Sequence, residues 1–348
     1  MRLRATILCT LLLCSIALLM QPACRKKGNS EVVTAPTPLT FSIPQGFPAP
    51  HYNFAANPIT QQGFDLGKKI FYDANLSSDG QVSCGSCHQQ FASFVQFDHD
   101  LGHGVNNEHT TRNPQPLLNL AWHQEMMWDG GVNHIEVQPL APFTAPNEMN
   151  ITIDQLLLKL SANPSYKPMY KAAFGNDDIT TQRTLKALSQ YMLMLVSANS
   201  KYDQYKRGQA TFTSLELQGY QVYQAKCNSC HREPLFTDLS YRNIGLPINT
   251  FFNDYGRMKI TNNLADSLRF KVPTLRNVAL TQPYTHDGRI GTLDAMIDHY
   301  RFNVVNDLAT DVAVRNKLSI STTEKAGLLA FLTTLTDTTF TKDKRFAQ

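Results

Sequence analysis

Hydrophobic positions divide the chain into three stretches with different patterns. Ala5–Met20 is a nearly unbroken apolar run, interrupted by Thr6, Thr10 and Ser15. Residues 28–50 carry Pro36, Pro38, Pro44, Pro48 and Pro50 and no regular period. Beyond them, apolar residues recur every three or four positions, the spacing of a helix with one buried face. Thr60 is placed to cap a helix over residues 61–72, with Phe64, Ile70 and Phe71 on its buried side. Thr152 with Gln155 forms a capping box ahead of Leu156, Leu157 and Leu160. A further helix runs through Leu185, Leu188, Met192 and Leu195. Thr213 with Glu216 opens the helix that delivers Cys227, and Ser321 with Glu324 opens one carrying Leu328, Leu332 and Leu335. Strand-like alternation is scarce, so the expected fold is mostly α.

The pattern also repeats. Pro116–Ala121 (Pro-Leu-Leu-Asn-Leu-Ala) precedes Trp128-Asp129-Gly130, and Pro273–Ala279 (Pro-Thr-Leu-Arg-Asn-Val-Ala) precedes His286-Asp287-Gly288. Asn119 to Asp129 and Asn277 to Asp287 span the same interval. An internal duplication explains this better than chance. It predicts two domains, 51–205 and 206–348, meeting in a helical connection near residues 200–212. The 348 residues, 42% hydrophobic, suffice for one large core or two ordinary ones.

Charge sharpens the reading of the first stretch. Arg2 and Arg4 precede the apolar run, which is short for a spanning helix and ends near a small residue, Ala23. Residues 1–23 are therefore read as an export signal. Cys24, followed by a polar tail, resembles a bacterial lipoprotein cleavage site. Residues 24–50 are then a tether, and the expected location is the periplasm, with a lipid anchor at Cys24. Ordinary cleavage near Ala23 is the alternative. The formal charge of +4 belongs to this region: without residues 1–31 the chain carries 27 basic and 27 acidic groups. A neutral body has no electrostatic footprint for nucleic acid.

Four of the seven cysteines form two pairs, each followed by histidine: Cys84-Gly85-Ser86-Cys87-His88 and Cys227-Asn228-Ser229-Cys230-His231. Positions i, i+3 and i+4 share one face of a helical turn. Two thiols can reach two vinyl groups of one haem while the adjacent imidazole reaches its iron, so the motif is read as c-type haem attachment. A shared four-cysteine zinc site and two redox disulfides are the alternatives. Neither accounts for the histidine after both pairs. The fold expectation becomes two cytochrome c-like domains, each with one covalent haem c. The position opposite each proximal histidine decides between electron transfer and peroxide binding. His99, His103, His109, His123, Met126 and Met127 are available in the first half, with His103 favoured between Gly102 and Gly104. Met258, Met296, His299 and Tyr300 are available in the second.

With these motifs in register, the chain resembles the bacterial dihaem cytochrome c peroxidases, a superfamily that includes the dihaem enzyme maturing tryptophan tryptophylquinone. The likeness covers roughly residues 60–340. It runs without a gap from Trp128-Asp129-Gly130 through Gln138, Pro142 and Glu148-Met149, and from Pro283–Gly288 through Tyr300. The resemblance implies that His88 is the proximal ligand of a peroxide-reacting haem and His103 its displaceable distal ligand. It implies that Trp128 lies between the haems and that Gln138 and Glu148 belong to the peroxide pocket. Asn113, Thr281 and Pro283 match ligands of a calcium ion between the domains, a pairing suited to oxygen donors. The family's peroxidases place methionine opposite the second proximal histidine, here His231, but the aligned residue is Tyr300, as in the quinone-maturing branch. Tyrosinate favours ferric iron and lowers that haem's potential.

The expected activity is reduction of hydrogen peroxide to water, with electrons from a small c-type cytochrome or copper protein. Glu148 is the expected general acid–base, and Trp128 the expected relay. Two other readings stay open: oxidation of a protein or organic substrate, favoured by Tyr300, and a non-catalytic electron carrier or sensor. The family also implies a homodimer.

Overall fold

The computed structural model describes residues 35–348. Helices dominate, and the two strands among the described residues, Tyr241–Arg242 and Phe270–Lys271, are two residues each and pair antiparallel. The anticipated caps all form. Thr60 Oγ1 accepts from Gly63 N at 3.0 Å at the head of the Gln61–Tyr72 helix. Capping boxes open Ile153–Ala162, Ser214–Lys226 and Thr322–Thr333. The helix Tyr166–Phe174 carried no sequence expectation, while Lys201–Lys206, opening on a Ser200/Asp203 capping box, lies in the expected helical connection.

Each half is built on a helix pair pressed together through glycine. In the first, Gln61–Tyr72 packs on Thr181–Leu193, and a Cβ on Gly67 would lie 1.9 Å from Ala187 O. In the second, Ser214–Lys226 packs on Thr322–Thr333, and a Cβ on Gly219 would lie 1.8 Å from Gly327 O. Around these pairs sit two buried apolar clusters. One gathers residues between Tyr52 and Leu195, the other residues between Tyr202 and Leu335. Phe340 and Phe346 cross back and join the first cluster, where Phe346 O accepts from the Tyr72 and Tyr191 hydroxyls.

The repeated blocks share backbone as well as letters. Asn119 and Asn277 both adopt left-handed φ (56° and 59°), as do Met127 and Thr285 (67° and 79°) and Gly130 and Gly288 (76° and 69°). Asn119 N donates to Leu195 O and Asn277 N to Leu335 O, at 2.8 and 3.0 Å. Isolated bridges Met126–Val132 and Tyr284–Ile290 close the same turn in each.

One expectation changes. Residues 1–23 and Cys24 lie outside the described residues, but the second part of the segment expected as a tether is packed rather than free. Leu39 N donates to Ile59 O, Trp122 Nε1 donates to Pro48 O at 2.8 Å, and Leu39, Phe41 and Phe47 rest on the first cluster. Prolines remove N–H donors but leave carbonyl acceptors and neighbouring apolar side chains free to bury, so a proline-rich strap can still adhere. No helix among the described residues is long and apolar enough to cross a membrane.

Candidate functional site

Both cysteine motifs wind into single turns. Ser83 caps the Cys84–Cys87 turn, and His88 N donates to Cys84 O at 2.9 Å. The Ser214–Lys226 helix delivers Cys227, and His231 N donates to Cys227 O at 3.0 Å. None of the four cysteines forms a disulfide. Burial pushes Cys84 and Cys227 up to about 12 and Cys87 to about 11, the opposite of a low-pKa redox dithiol. Cys87 and the Cys227/Cys230 pair line different cavities, so no four-cysteine site is assembled, and no metal-holding cluster of His, Cys, Asp or Glu occurs among the described residues.

His88 and His231 are held alike. His88 Nδ1 lies 2.8 Å from Phe94 O, with Gln115 backbone also in reach. His231 Nδ1 lies 3.3 Å from Phe236 O and 3.0 Å from Pro273 O. A carbonyl only accepts, so each Nδ1 carries the proton and each Nε2 keeps its lone pair for a metal. Burial lowers both histidine pKa values, which keeps the rings neutral. These residues fit a haem: paired thiols one turn apart, an oriented imidazole, and a cavity at each.

The first cavity, about 510 Å³, is lined by Cys87, His88, Gln138 and Glu148, and also by His123, Met126 and Met127. Burial holds the Glu148 carboxyl above the ordinary carboxylate range, and it makes no hydrogen bond within the described residues. The second cavity, about 210 Å³, is lined by Cys227, Cys230, His231, Met296 and Tyr300. Trp128 faces both cavities, in a shared wall with Asn113, Asp254 and residues 271–274. Its Nε1 donates to Asn113 O at 2.8 Å, and Lys271 N donates to Trp128 O at 2.7 Å.

His103 is not among the residues lining the first cavity. Gly102 and Thr110 exchange hydrogen bonds, and Gly104 N donates to Glu108 O, which folds the loop on itself. The His103 ring packs at a tilt against nearby rings, 5.0 Å from His99 and 4.3 Å from His109, and its Nδ1 lies 2.7 Å from Asn107 Oδ1. The flanking glycines do permit close approach: a Cβ on Gly104 would lie 2.1 Å from Asn147 O, next to Glu148.

A π-helical turn, His299–Asn303, continues Leu293–Asp298 and carries Tyr300 into the second cavity. Burial, with the Cys227 and Cys230 sulfurs, pushes its phenol pKa well up. Asn113, Thr281 and Pro283 do meet at this cavity's wall, where Asn113 Nδ2 donates to Pro283 O at 2.7 Å.

Two further residues line the first cavity: His123, one of the candidate ligands read from the sequence, and Lys271, which had no expected role. His123 faces the first cavity without a hydrogen-bond partner among the described residues. Burial and the nearby Lys271 charge push its pKa down to about 3. Lys271, 4% exposed, is itself pushed down to about 8 by burial. His123 lies inside the first repeated block, whereas Lys271 lies two residues before the second, and nothing in the sequence singled it out.

Comparison with known proteins bears on this geometry. The family model described as di-haem cytochrome c peroxidase matches residues 61–211. The methylamine utilization protein MauG of Methylorubrum extorquens is 33% identical over 302 residues, 85% of this chain and 83% of that one. The cytochrome c551 peroxidase of Nitrosomonas europaea is 31% identical over 287 residues, 81% of this chain and 82% of that one. Among solved structures, a MauG-like protein associated with microbial copper homeostasis superposes with a TM-score of 0.82. It is 28% identical, and the match covers 89% of this chain and 99% of that one. The chain belongs to the di-haem cytochrome c peroxidase family, whose members imply two haem groups.

Proposed function

We propose that this protein is a periplasmic dihaem peroxidase that reduces hydrogen peroxide to water with electrons from a small cytochrome or copper protein. One haem is attached through Cys84 and Cys87 with His88 as proximal ligand. The other is attached through Cys227 and Cys230 with His231. The reading rests on one observation: the cavity beside His88 carries Glu148 and Gln138, while Trp128 stands in the wall it shares with the cavity beside His231. A pure electron carrier needs no polar pocket. Duplication of one haem-binding unit accounts for the two halves, with equivalent left-handed residues at 119 and 277, 127 and 285, and 130 and 288.

When bound, the haem at His88 supplies the iron that takes up peroxide and the electrons for O–O cleavage. Glu148 moves a proton from the near to the far peroxide oxygen so that water leaves. Its raised pKa suits that task, because a carboxyl poised nearer neutrality both accepts and returns a proton. Gln138 orients the peroxide by hydrogen bonding, and Trp128 relays electrons between the two sites. Calcium at Asn113, Thr281 and Pro283, and anchoring through Cys24, belong to the same reading.

The test is stopped-flow peroxide turnover with a reduced small cytochrome c, comparing oxidised and half-reduced protein of verified two-haem content. With His103 outside the cavity, both states are expected to turn over. Turnover only after half-reduction would restore His103 as a gate. No peroxide-dependent cytochrome oxidation in either state would sink the peroxidase reading. Tyr300 beside His231, together with the displaced His103, favours a second reading: oxidation of a protein or organic substrate.

A further inference from the structure

Met258, Met296, His299 and Tyr300 have the chemistry to sit opposite His231, and the structure separates them. Met258 does not line the cavity that holds Cys227, Cys230 and His231. His299 is committed elsewhere, its Nε2 lying 2.9 Å from Ile244 O. Met296 and Tyr300 both line that cavity. They are four residues apart, and side chains at that spacing share a helix face. Neither the Met296 sulfur nor the Tyr300 phenol has a hydrogen-bond partner among the described residues.

The backbone between these two donors is not uniform. The α-helix Leu293–Asp298 gives way to the π-turn His299–Asn303, so Met296 sits on the regular part and Tyr300 on the wide turn. π-Turns inside helices concentrate at functional sites, and a change between α and π hydrogen bonding shifts one side chain relative to its neighbours. The donors also differ in kind. A phenolate oxygen is hard and anionic and suits ferric iron, whereas a thioether is soft and neutral and suits ferrous iron.

We infer that the iron held by His231 exchanges its opposite ligand with oxidation state, Tyr300 serving the ferric form and Met296 the ferrous form. This rests on the proposed attachment of a haem at Cys227, Cys230 and His231. In the reducing direction, one electron arrives from the donor redox protein and one proton from solvent. The iron–oxygen bond breaks, the Tyr300 oxygen keeps the proton, and an iron–sulfur bond to Met296 forms. Oxidation reverses each step. The exchange lets one haem rest stably oxidised under tyrosinate and still hold an electron once reduced, as a peroxidase relay requires.

The experiment uses full-length protein with two haems per chain, recording absorption and electron paramagnetic resonance spectra and carbon monoxide uptake after dithionite reduction. Wild type is expected to bind one carbon monoxide per chain, at the His88 haem. Met296→Leu should leave the ferric spectra unchanged but lose the low-spin ferrous signature of the second haem and bind two. Unchanged ferrous spectra and uptake in Met296→Leu would overturn the exchange, as would an altered ferric spectrum, which would make Met296 a ligand in both states. Tyr300→Phe should alter the ferric spectrum and keep the wild-type ferrous one. An unaltered ferric spectrum in Tyr300→Phe removes Tyr300 as a ligand, and the exchange with it. A wild-type haem content of one per chain would instead refute the attachment reading on which the inference stands.

Discussion

Glu148 and Asp203 show how burial acts on two carboxyls with opposite results. Glu148 faces the first cavity with no partner, so burial alone acts and its pKa rises. Glu148→Gln should keep two haems per chain while peroxide turnover falls about 100-fold, the scale of a lost acid–base group; unchanged turnover in the stopped-flow assay removes it from the mechanism. Asp203 is as deeply placed. Burial works against its charge, but the bidentate Arg276 guanidinium, at 2.9 Å to each oxygen, and Ser200 hold its pKa below the ordinary range. Arg276 is fully buried, so Asp203→Ala strands a cation and should cost roughly 3–5 kcal/mol in denaturant titrations. The sign with pH follows from the lowered pKa. The native state binds its proton later than the unfolded chain, so this stabilisation is complete at neutral pH. It is lost as pH falls through the carboxylate range, and the variant should show a shallower acid slope. Glu148 was found in the sequence through the family register alone, because a lone acid ahead of the Thr152 cap otherwise reads as a favourable helix-dipole charge. His123 carried no such register and stood only as one of six candidate ligands in the first half, with His103 favoured over it.

At the scale of elements, the caps were legible because a capping box is a local exchange between residues three apart. The packing of the strap of residues 35–50 and the π-turn that carries Tyr300 were not, since both depend on surfaces supplied from elsewhere in the chain; Tyr300 itself was named through the family register. The glycines at the helix crossings make a sharper test. At Gly219 a methyl group would strike the Gly327 carbonyl, whereas a methyl at Gly327 meets its nearest atom at 3.1 Å. Gly219→Ala should therefore destabilise by about 1–3 kcal/mol through overpacking despite its gain in helix propensity. Gly327→Ala, whose methyl would press less closely on the Gly219 backbone, should cost less than Gly219→Ala. Equal melting temperatures for the two variants would contradict this crossing.

Across the whole molecule, the two apolar clusters are stitched together by the chain's last turn and by polar contacts across the shared wall. Arg112 pairs with Asp129 in the first half and Asp254 in the second, at 2.7 and 2.6 Å, while Phe340 returns from the second half to bury in the first cluster. Phe340→Ala should remove about 3–5 kcal/mol of packing and loosen the coupling between halves. Calorimetry should then resolve two unfolding transitions where wild type shows one; a single, merely lowered transition would mean that the wall contacts alone hold the halves together.

The amino-acid order by itself determined what is written within a few residues: helix starts, the turn that presents two thiols and an imidazole, and the repeated blocks. These follow from helical geometry and backbone sterics, which act locally. Only the tertiary structure decided which side chain reaches which cavity. The 99–110 loop closes on itself and keeps His103 outside, and His123 enters from the repeated block. Trp128 comes to face both sites because strand Phe270–Lys271 of the other half pairs with its carbonyl. The placement of Trp128 depends on close packing between segments more than a hundred residues apart, which no short-range pattern encodes.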